Sequence, residues 1–327
     1  MKKIPSLSLA LVIAFAFSAW CVPASAGTIV MKVAHVTAQD HPIQKGLEFF
    51  RDRVAELTDG AIKVDIYSSG VLGGDQEELQ QVILGTLDMA VINGISIWGS
   101  MDPRAGVEEL PFIFKNEQHA YKNLDGKFGA MLRDEIITPS GVKFLNYWEN
   151  GFRHFTNSKR AIQTPADMQG IKFRSAESEI RIQMFRTLGS SAIPMPFPEL
   201  FTALQQKTID GQENPLTTIW ASKFFEVQKY LTLSGHIYSA CVFIINPALW
   251  NSLSPDIQAA IQKAADEARD FERKLNADQC AGLVEQLKEA GMDVSEINKD
   301  LFVETCKPVW DGFVKKFGSG FIDAFVD

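Results

Sequence analysis

The sequence predicts an α/β protein of two lobes, and three observations lead there. Strand-like and helix-like segments alternate in a β-α-β-α-β run near the start of the chain, and a second such run follows after residue 170. No Pro/Gly/Ser-rich linker separates the two runs, so the chain is expected to cross between lobes more than once. The 327 residues, 46% of them hydrophobic, correspond to about two domains at ~150 residues each.

The first segment is read apart from the fold. Met1-Lys2-Lys3 precedes an apolar stretch from Leu7 to Trp20 and then Pro23-Ala24-Ser25-Ala26-Gly27. A charged start, an apolar core and an Ala-x-Ala site describe a secretory signal peptide, with cleavage expected after about Ala26. The apolar run is shorter than the roughly 20 residues a membrane span needs. The bulky Trp20 before Cys21 argues against a lipoprotein site. The expected mature chain is exported to the periplasm, and loss of Lys2 and Lys3 takes its net charge from −8 to −10.

The elements then follow in order. Ile29 to Val36 reads as a strand and Pro42 to Leu57 as a helix; Ile62, Val64 and Ile66 alternate, giving a strand from Ala61 to Tyr67. Gly70 to Gly74 is a turn, Asp75 to Leu84 a helix opened by acidic residues, and Leu87 to Ile92 a strand. A helix near Glu117 to Leu132 and a strand near Val142 to Tyr147 come next. Thr164-Pro165-Ala166-Asp167 has a cap followed by proline and starts a helix. Ile171 to Arg174, Ala192 to Pro194 and Thr208 to Gln212 read as strands, with helices at Ser178 to Leu188, Pro198 to Lys207 and Thr217 to Phe225. Tyr230 to Ile245 is long extended chain, and Ser254-Pro255-Asp256 starts a helix expected to reach about Glu289, long enough to kink or to link two lobes. The expected division is residues 1–26 as signal, 27–150 plus 240–279 as one lobe, and 151–239 plus 280–327 as the other. An exported two-lobed α/β chain suits a clamshell that closes on a ligand by hinge motion.

Several classes are excluded. The acidic balance lacks the basic face that nucleic-acid binding needs. There is no Gly-x-Ser-x-Gly, His-Glu-x-x-His, P-loop or Cys-x-x-Cys, and the five histidines are scattered. No set of metal ligands or cofactor fingerprint is present, so no metal and no cofactor is expected. Three cysteines follow the signal: Cys241 in an apolar strand, and Cys280 and Cys306, which have 25 residues between them and are a candidate disulfide.

Candidate binding residues cluster at strand ends, where open α/β folds hold ligands. Arg174 ends a short strand and presents a planar fork suited to a carboxylate; a structural ion pair is the alternative. Asn214 follows another strand and can donate and accept; a turn residue before Pro215 is the alternative.

Four stretches carry a family resemblance: Tyr147-Trp148-Glu149-Asn150-Gly151-Phe152-Arg153, Ile193-Pro194-Met195-Pro196-Phe197-Pro198-Glu199, Asp210-Gly211-Gln212-Glu213-Asn214-Pro215 and Phe224-Phe225-Glu226-Val227-Gln228-Lys229-Tyr230-Leu231. They resemble the substrate-binding proteins of tripartite ATP-independent periplasmic (TRAP) transporters, the DctP-type family, over nearly the whole mature chain. The resemblance implies a periplasmic binding protein-like clamshell with crossing segments and a long lobe-spanning helix. It implies capture of one small organic acid for delivery to membrane permease subunits, and no enzymatic activity. By the same resemblance Arg174 clamps the carboxylate, Arg153 supports it, Asn214 contacts ligand and Phe197 forms an aromatic wall. First-lobe candidates are Asn93, Asp75, Glu77, Glu78, His35 and Thr37, with Trp148 and Glu149 at the crossover; Trp148 also suits a core position. Glu177, beside the clamp, would hold Arg174 or a ligand hydroxyl and disfavour a second ligand carboxylate. The wording of these stretches leans to a sugar-acid branch, with C4-dicarboxylates, 2-oxo acids and aromatic acids as alternatives. A ligand sensor for a membrane receptor is the competing role, and a monomer is expected.

Overall fold

The computed structural model describes residues 28–326; the expected signal peptide lies outside them. Two β-α-β units open the fold: β1 (Ile29–Ala34), α1 (Pro42–Leu57), β2 (Ile62–Tyr67), α2 (Asp75–Leu84) and β3 (Met89–Asn93). Helix α1 begins where proline fixes the backbone, with His41 Nδ1 accepting from the Ile43 amide at 3.2 Å. Two 3-10 segments (Ile95–Ser100 and Pro103–Glu109) lead to α3 (Glu117–Leu124) and α4 (Lys127–Leu132). Strand β4 (Lys143–Asn157) then runs into β5 (Lys172–Ser175), α5 (Glu179–Thr187), β6 (Ser191–Pro194), α6 (Leu200–Gln205), β7 (Gly211–Pro215) and α7 (Leu216–Ala221). The chain returns through β8 (Tyr230–Ile245) and closes with α8 (Pro247–Ser252), α9 (Pro255–Cys280), α10 (Leu283–Glu289), β9 (Asp293–Glu296) and α11 (Lys299–Phe317).

Among the described residues the strands form one mixed sheet in the order β2-β1-β3-β8-β4-β7-β5-β6, with β9 beside β8. Strands β4 and β8 are its spine. They pair antiparallel from Lys143↔Ile245 to Asn157↔Tyr230. One half of β8, Cys241 to Ile245, pairs with β3; its other half, Tyr230 to Leu233, pairs with β9. In the same way the far half of β4, Arg153 to Asn157, carries β7. Two crossing strands therefore serve both halves of the molecule. Their register slips between Glu149 and Gly151 and again between Arg153 and Phe155, and Gly151 sits at φ +114°. A bulge with glycine in that region lets the strand bend at its middle.

Three apolar clusters surround this spine. Helices α1 and α9 pack on one face of the first half through Leu47, Phe50, Trp148, Phe243 and Ile261. The approach at Gly46 is so close that a Cβ there would lie 2.5 Å from the Trp148 ring. A second cluster, including Leu200, Ile219, Leu231 and Leu287, covers the corresponding face of the other half. The largest, with Trp98, Phe114, Phe128, Phe155, Phe185 and Phe302, joins the 3-10 segments, α5 and α11 on the opposite face.

The structure departs from the sequence reading in five places. The helix from Pro255 breaks at Ala281 and Gly282, where φ is +94°, so α9 and α10 replace one long helix. The strand expected to stop at Tyr147 continues to Asn157, because β8 and β7 offer partners that a local reading does not contain. The helix expected over Glu117 to Leu132 is two, α3 and α4, parted at Asp125 and Gly126. The strand expected over Thr208 to Gln212 lies at Gly211–Pro215, after Lys207 in the left-handed region. Cys280 and Cys306 are free: Cys280 ends α9, whereas Cys306 is buried in the cluster with Phe302, Val309 and Phe313. Trp148, fully buried, donates from Nε1 to Asn146 Oδ1 at 2.8 Å and packs edge-on to Phe243. Trp148→Ala is expected to lower unfolding stability by about 3–5 kcal/mol, measured by urea titration; a loss below about 1 kcal/mol would show that α1 and β4 do not depend on it.

Candidate ligand site between the lobes

The sheet spine brings one polar cavity together. It is lined by Arg153 and Asn150 from β4, Arg174 from β5, Asn214 from β7, and Asp75 and Asn93 from the first half. Ala176, Arg181, Phe197, Thr37 and Thr218 complete its walls. The free space is about 20 Å³, room for about one water.

Three guanidinium groups sit here at 3% exposure or less, and each has different company. Arg153 is paired with Glu213 and also donates from Nη2 to Asn214 Oδ1 at 2.9 Å. Arg181 lies between Glu109 and Glu213, with Nη1 3.0 Å from Glu213 Oε1. Arg174 forms no ion pair among the described residues. It donates from Nε to the Met195 carbonyl at 2.9 Å, and its guanidinium carbon stands 5.9 Å from the Phe197 ring centre. Burial, with the positive fields of Arg153 and Arg181, pushes its pKa down to about 9. Burial also opposes the charge on Arg181, but Glu109 and Glu213 outweigh it and raise the pKa. For Glu213 the balance runs the other way: burial would favour the acid, and the two arginines hold it well below the ordinary carboxylate range. Charge on Arg174 is thus the one in the trio that an incoming carboxylate would stabilise most.

The first half supplies neutral and weakly acidic groups. Asp75 Oδ1 accepts from the Asn93 amide at 2.7 Å, and Asn93 Oδ1 accepts from Cys241 Sγ at 2.9 Å. Burial raises the Asp75 pKa to about 7. Glu108, buried beside Glu109 and accepting from the amides of Ile95 and Ala240, is raised to about 8.

Arg174, Arg153, Asn214, Phe197, Asn93 and Asp75 therefore share one cavity, as does Thr37. Six other candidates do not, among them Glu78, fully buried on α2. His35 is buried behind it, bonded to Thr37 Oγ1 at 2.8 Å and Gln44 Oε1 at 2.7 Å. Glu77 caps its own helix, accepting from the Gly74 amide at 3.0 Å. Trp148 belongs to the core, and Glu149 faces the other side of β4, where Tyr121 donates to it. Glu177 is exposed and lines a separate groove. Arg181 was missed. Its signal is a charge on the apolar stripe of α5: it precedes Met184 by three residues and Phe185 by four, and both are buried.

Residues 33–316 match the family described as DctP, bacterial extracellular solute-binding protein, family 7. A 2,3-diketo-L-gulonate-binding periplasmic protein of Escherichia coli is 36% identical over 322 residues, covering 97% of this chain and 96% of that one. A TRAP periplasmic solute-binding protein from Polaromonas, solved with D-erythronate, is 37% identical with a TM-score of 0.87, covering 91% of this chain and 98% of that one. A sugar-acid binding protein from Advenella mimigardefordensis, solved with galactonate, shows the same identity, TM-score and coverages. The chain belongs to the DctP family of TRAP solute-binding proteins, whose members are periplasmic carriers and not enzymes. The two-lobed fold is that of these structures.

Asp75 gives this site a pH signature. The folded protein keeps its proton to near pH 7, whereas an unfolded aspartate releases it near 4. Stability owed to this group is present at low pH and is lost as pH rises from about 4 to 7. The stability of the wild type relative to Asp75→Asn is expected to fall across that window, by at most about 1.4 kcal/mol per pH unit. Urea unfolding of both proteins at several pH values checks it, and a flat difference would overturn the assignment.

Proposed function

We propose that this protein captures a hydroxylated monocarboxylate, a sugar acid, and delivers it to the membrane subunits of a TRAP permease. The observation that carries the reading is Arg174, a buried guanidinium beside Phe197 that no carboxylate of the described chain neutralises. The ligand carboxylate pairs with Arg174. Arg153 and Asn214, themselves bonded, fix the direction of approach, and Phe197 gives a flat wall. Asn93, Asp75 and Thr37 meet the hydroxylated end. Three relatives of 36–37% identity are named for or solved with diketogulonate, erythronate and galactonate, which supports a sugar acid, while a C4-dicarboxylate-binding relative is less similar at 31%.

Because the cavity has room for about one water, an acid of several carbons enters only when the lobes part. The lobes are taken as residues 27–150 plus 240–279, and 151–239 plus 280–327. The middle of β4 and β8 supports this boundary; the last residues depart from it, since Phe325 packs on Phe128 of the first lobe. Closure around the acid is stabilised by its tighter binding to the closed state. Export behind a signal cleaved near Ala26, and a monomeric carrier, complete the reading.

A thermal-shift screen of refolded mature protein against small acids tests the ligand class. At 100 times its dissociation constant a specific ligand adds about 2.7 kcal/mol. Hits on aldonates and related sugar acids, lost in Arg174→Ala, are expected. Titration calorimetry should show that variant weaker by at least about 2 kcal/mol, as when one partner of a buried charge pair is removed. Hits confined to dicarboxylates would overturn the sugar-acid reading, and unchanged affinity in Arg174→Ala would overturn the clamp.

A further inference from the structure

We propose that His41 is a positioning residue of the acid site: through Thr218 it fastens one lobe to the other around the captured acid. It does so only as the neutral imidazole, so the acid is held less tightly as pH falls. His41 belongs to the first lobe and Thr218 to the second on the two-lobe carrier reading, on which the role of this bond rests.

The bond is directed. His41 stands at the entrance to α1 and Thr218 in the first turn of α7, and both are buried. His41 Nδ1 accepts from the Ile43 amide at 3.2 Å, which leaves the ring proton on Nε2. Nε2 lies 3.1 Å from Thr218 Oγ1, 177 residues later in the chain, and donates to it. The Thr218 hydroxyl in turn donates to Asn150 Oδ1 at 3.4 Å. Thr218 and Asn150 both line the acid cavity, so a relay of donors runs from the start of α1 to the wall that meets the ligand. Gly70 and Gly74 meet the second lobe by shape instead: a Cβ at Gly70 would stand 2.5 Å from Pro198 Cγ, and one at Gly74 3.3 Å from Pro196 Cβ. Parting the lobes breaks the Nε2 bond and lets water reach the ring.

A second proton has no place in the closed form. It would sit on Nδ1, facing the Ile43 N–H, and a cation is disfavoured at a helix N-terminus. Burial first, and then the field of His35, push the His41 pKa down to about 3. The surroundings offer no counter-charge. Helix α7 carries no charged residue, and Asn150 of β4 is neutral. Glu272 of α9 packs on α1 at Gly46, but burial raises its own pKa. Asp40 is exposed, and Lys45 is paired with Glu48. The cavity beyond Thr218 contributes Arg153, Arg174, Arg181 and Asp75, and Asp75 is itself raised to about 7. A histidine in water titrates near 6.5. Closing therefore expels a proton below that pH, and closure is weakened as pH falls from about 6.5 toward 3.

Titration calorimetry with galactonate at pH 7 and pH 5, and NMR of the histidine rings, test this. His41→Asn keeps a helix cap but is too short to reach Thr218 and does not titrate. At pH 7 it should bind galactonate at least about threefold more weakly than the wild type, the worth of one hydrogen bond. Between pH 7 and pH 5 the wild type should lose at least about fivefold more affinity than His41→Asn loses. In a Thr218→Val background His41→Asn should add less than about twofold to the loss, because both act through one bond. In the ligand-free protein the His41 ring, assigned by its disappearance in His41→Asn, should titrate above pH 5; with saturating galactonate it should stay neutral there. Parallel pH profiles of wild type and His41→Asn, losses that simply multiply, or a ligand-free His41 that remains neutral below pH 5 would each overturn the assignment. Failure of the wild type to bind galactonate would count against the carrier reading; the ring titration of the ligand-free protein needs no acid and decides the role of His41 by itself.

Discussion

Buried positive charge at Arg153, Arg174 and Arg181 is the constraint on which this structure depends. Each guanidinium out of water costs several kcal/mol unless it is paired, and here three share one cavity. The chain meets two of them with its own carboxylates. Glu213, from β7, serves both Arg153 and Arg181, and Glu109, from the segment before α3, closes on Arg181 from the other side. Because those acids come from distant parts of the sequence, the ion pairs tie β4, β7, α5 and the first half of the molecule into one polar centre. Arg174 is left with a backbone carbonyl and an aromatic ring. The site is thus organised around a positive charge that is fixed in direction and short of a partner.

The sheet explains how such a centre can also move. Both β4 and β8 pass through it, and each has neighbours from the first half at one end and from the second half at the other. Two of the apolar clusters each belong to one half, whereas the largest spans both. The register slips at Glu149–Gly151 and Arg153–Phe155 fall at this middle. A bulge weakens pairing locally and permits a change of angle, and these bulges coincide with the polar centre. Helix α9, packed on α1 and β4, ends at Cys280, its last turn lying beside Gly151.

The sequence revealed most of the elements because their signals are local. The start at Ser254-Pro255, the acidic opening of α2 and alternation at Ile62, Val64 and Ile66 are properties of a few neighbouring residues. Motif likeness then placed Arg174, Arg153, Asn214 and Phe197, which the fold gathers into one cavity. What stayed hidden depends on partners far along the chain. Strand β4 extends past Tyr147 only because β8 and β7 flank it. Glu109 reads as one of two adjacent acids until Arg181, 72 residues later, is packed against it. Asp75 and Glu77 both open α2, and only the three-dimensional fold turns the first into the cavity and the second onto its own helix cap.

The charge balance also bears on the kind of acid that fits. Glu177 was expected to disfavour a second ligand carboxylate, but it is exposed and faces another groove. Asp75, not Glu177, is the acid that shares the cavity with Arg174. It stands across the cavity from Arg174, and burial already raises its pKa to about 7. Glu109 and Glu213 balance two of the three guanidiniums, leaving one formal positive charge for one carboxylate. A second ligand carboxylate at the Asp75 end would meet another acid with no guanidinium left unpaired, and would oppose the release of the Asp75 proton above pH 7. Hydroxyl groups suit that end without this cost, since Asp75, Asn93 and Thr37 can accept from or donate to them. A single carboxylate followed by a hydroxylated chain is the shape that leaves every buried charge in the cavity with an opposite neighbour.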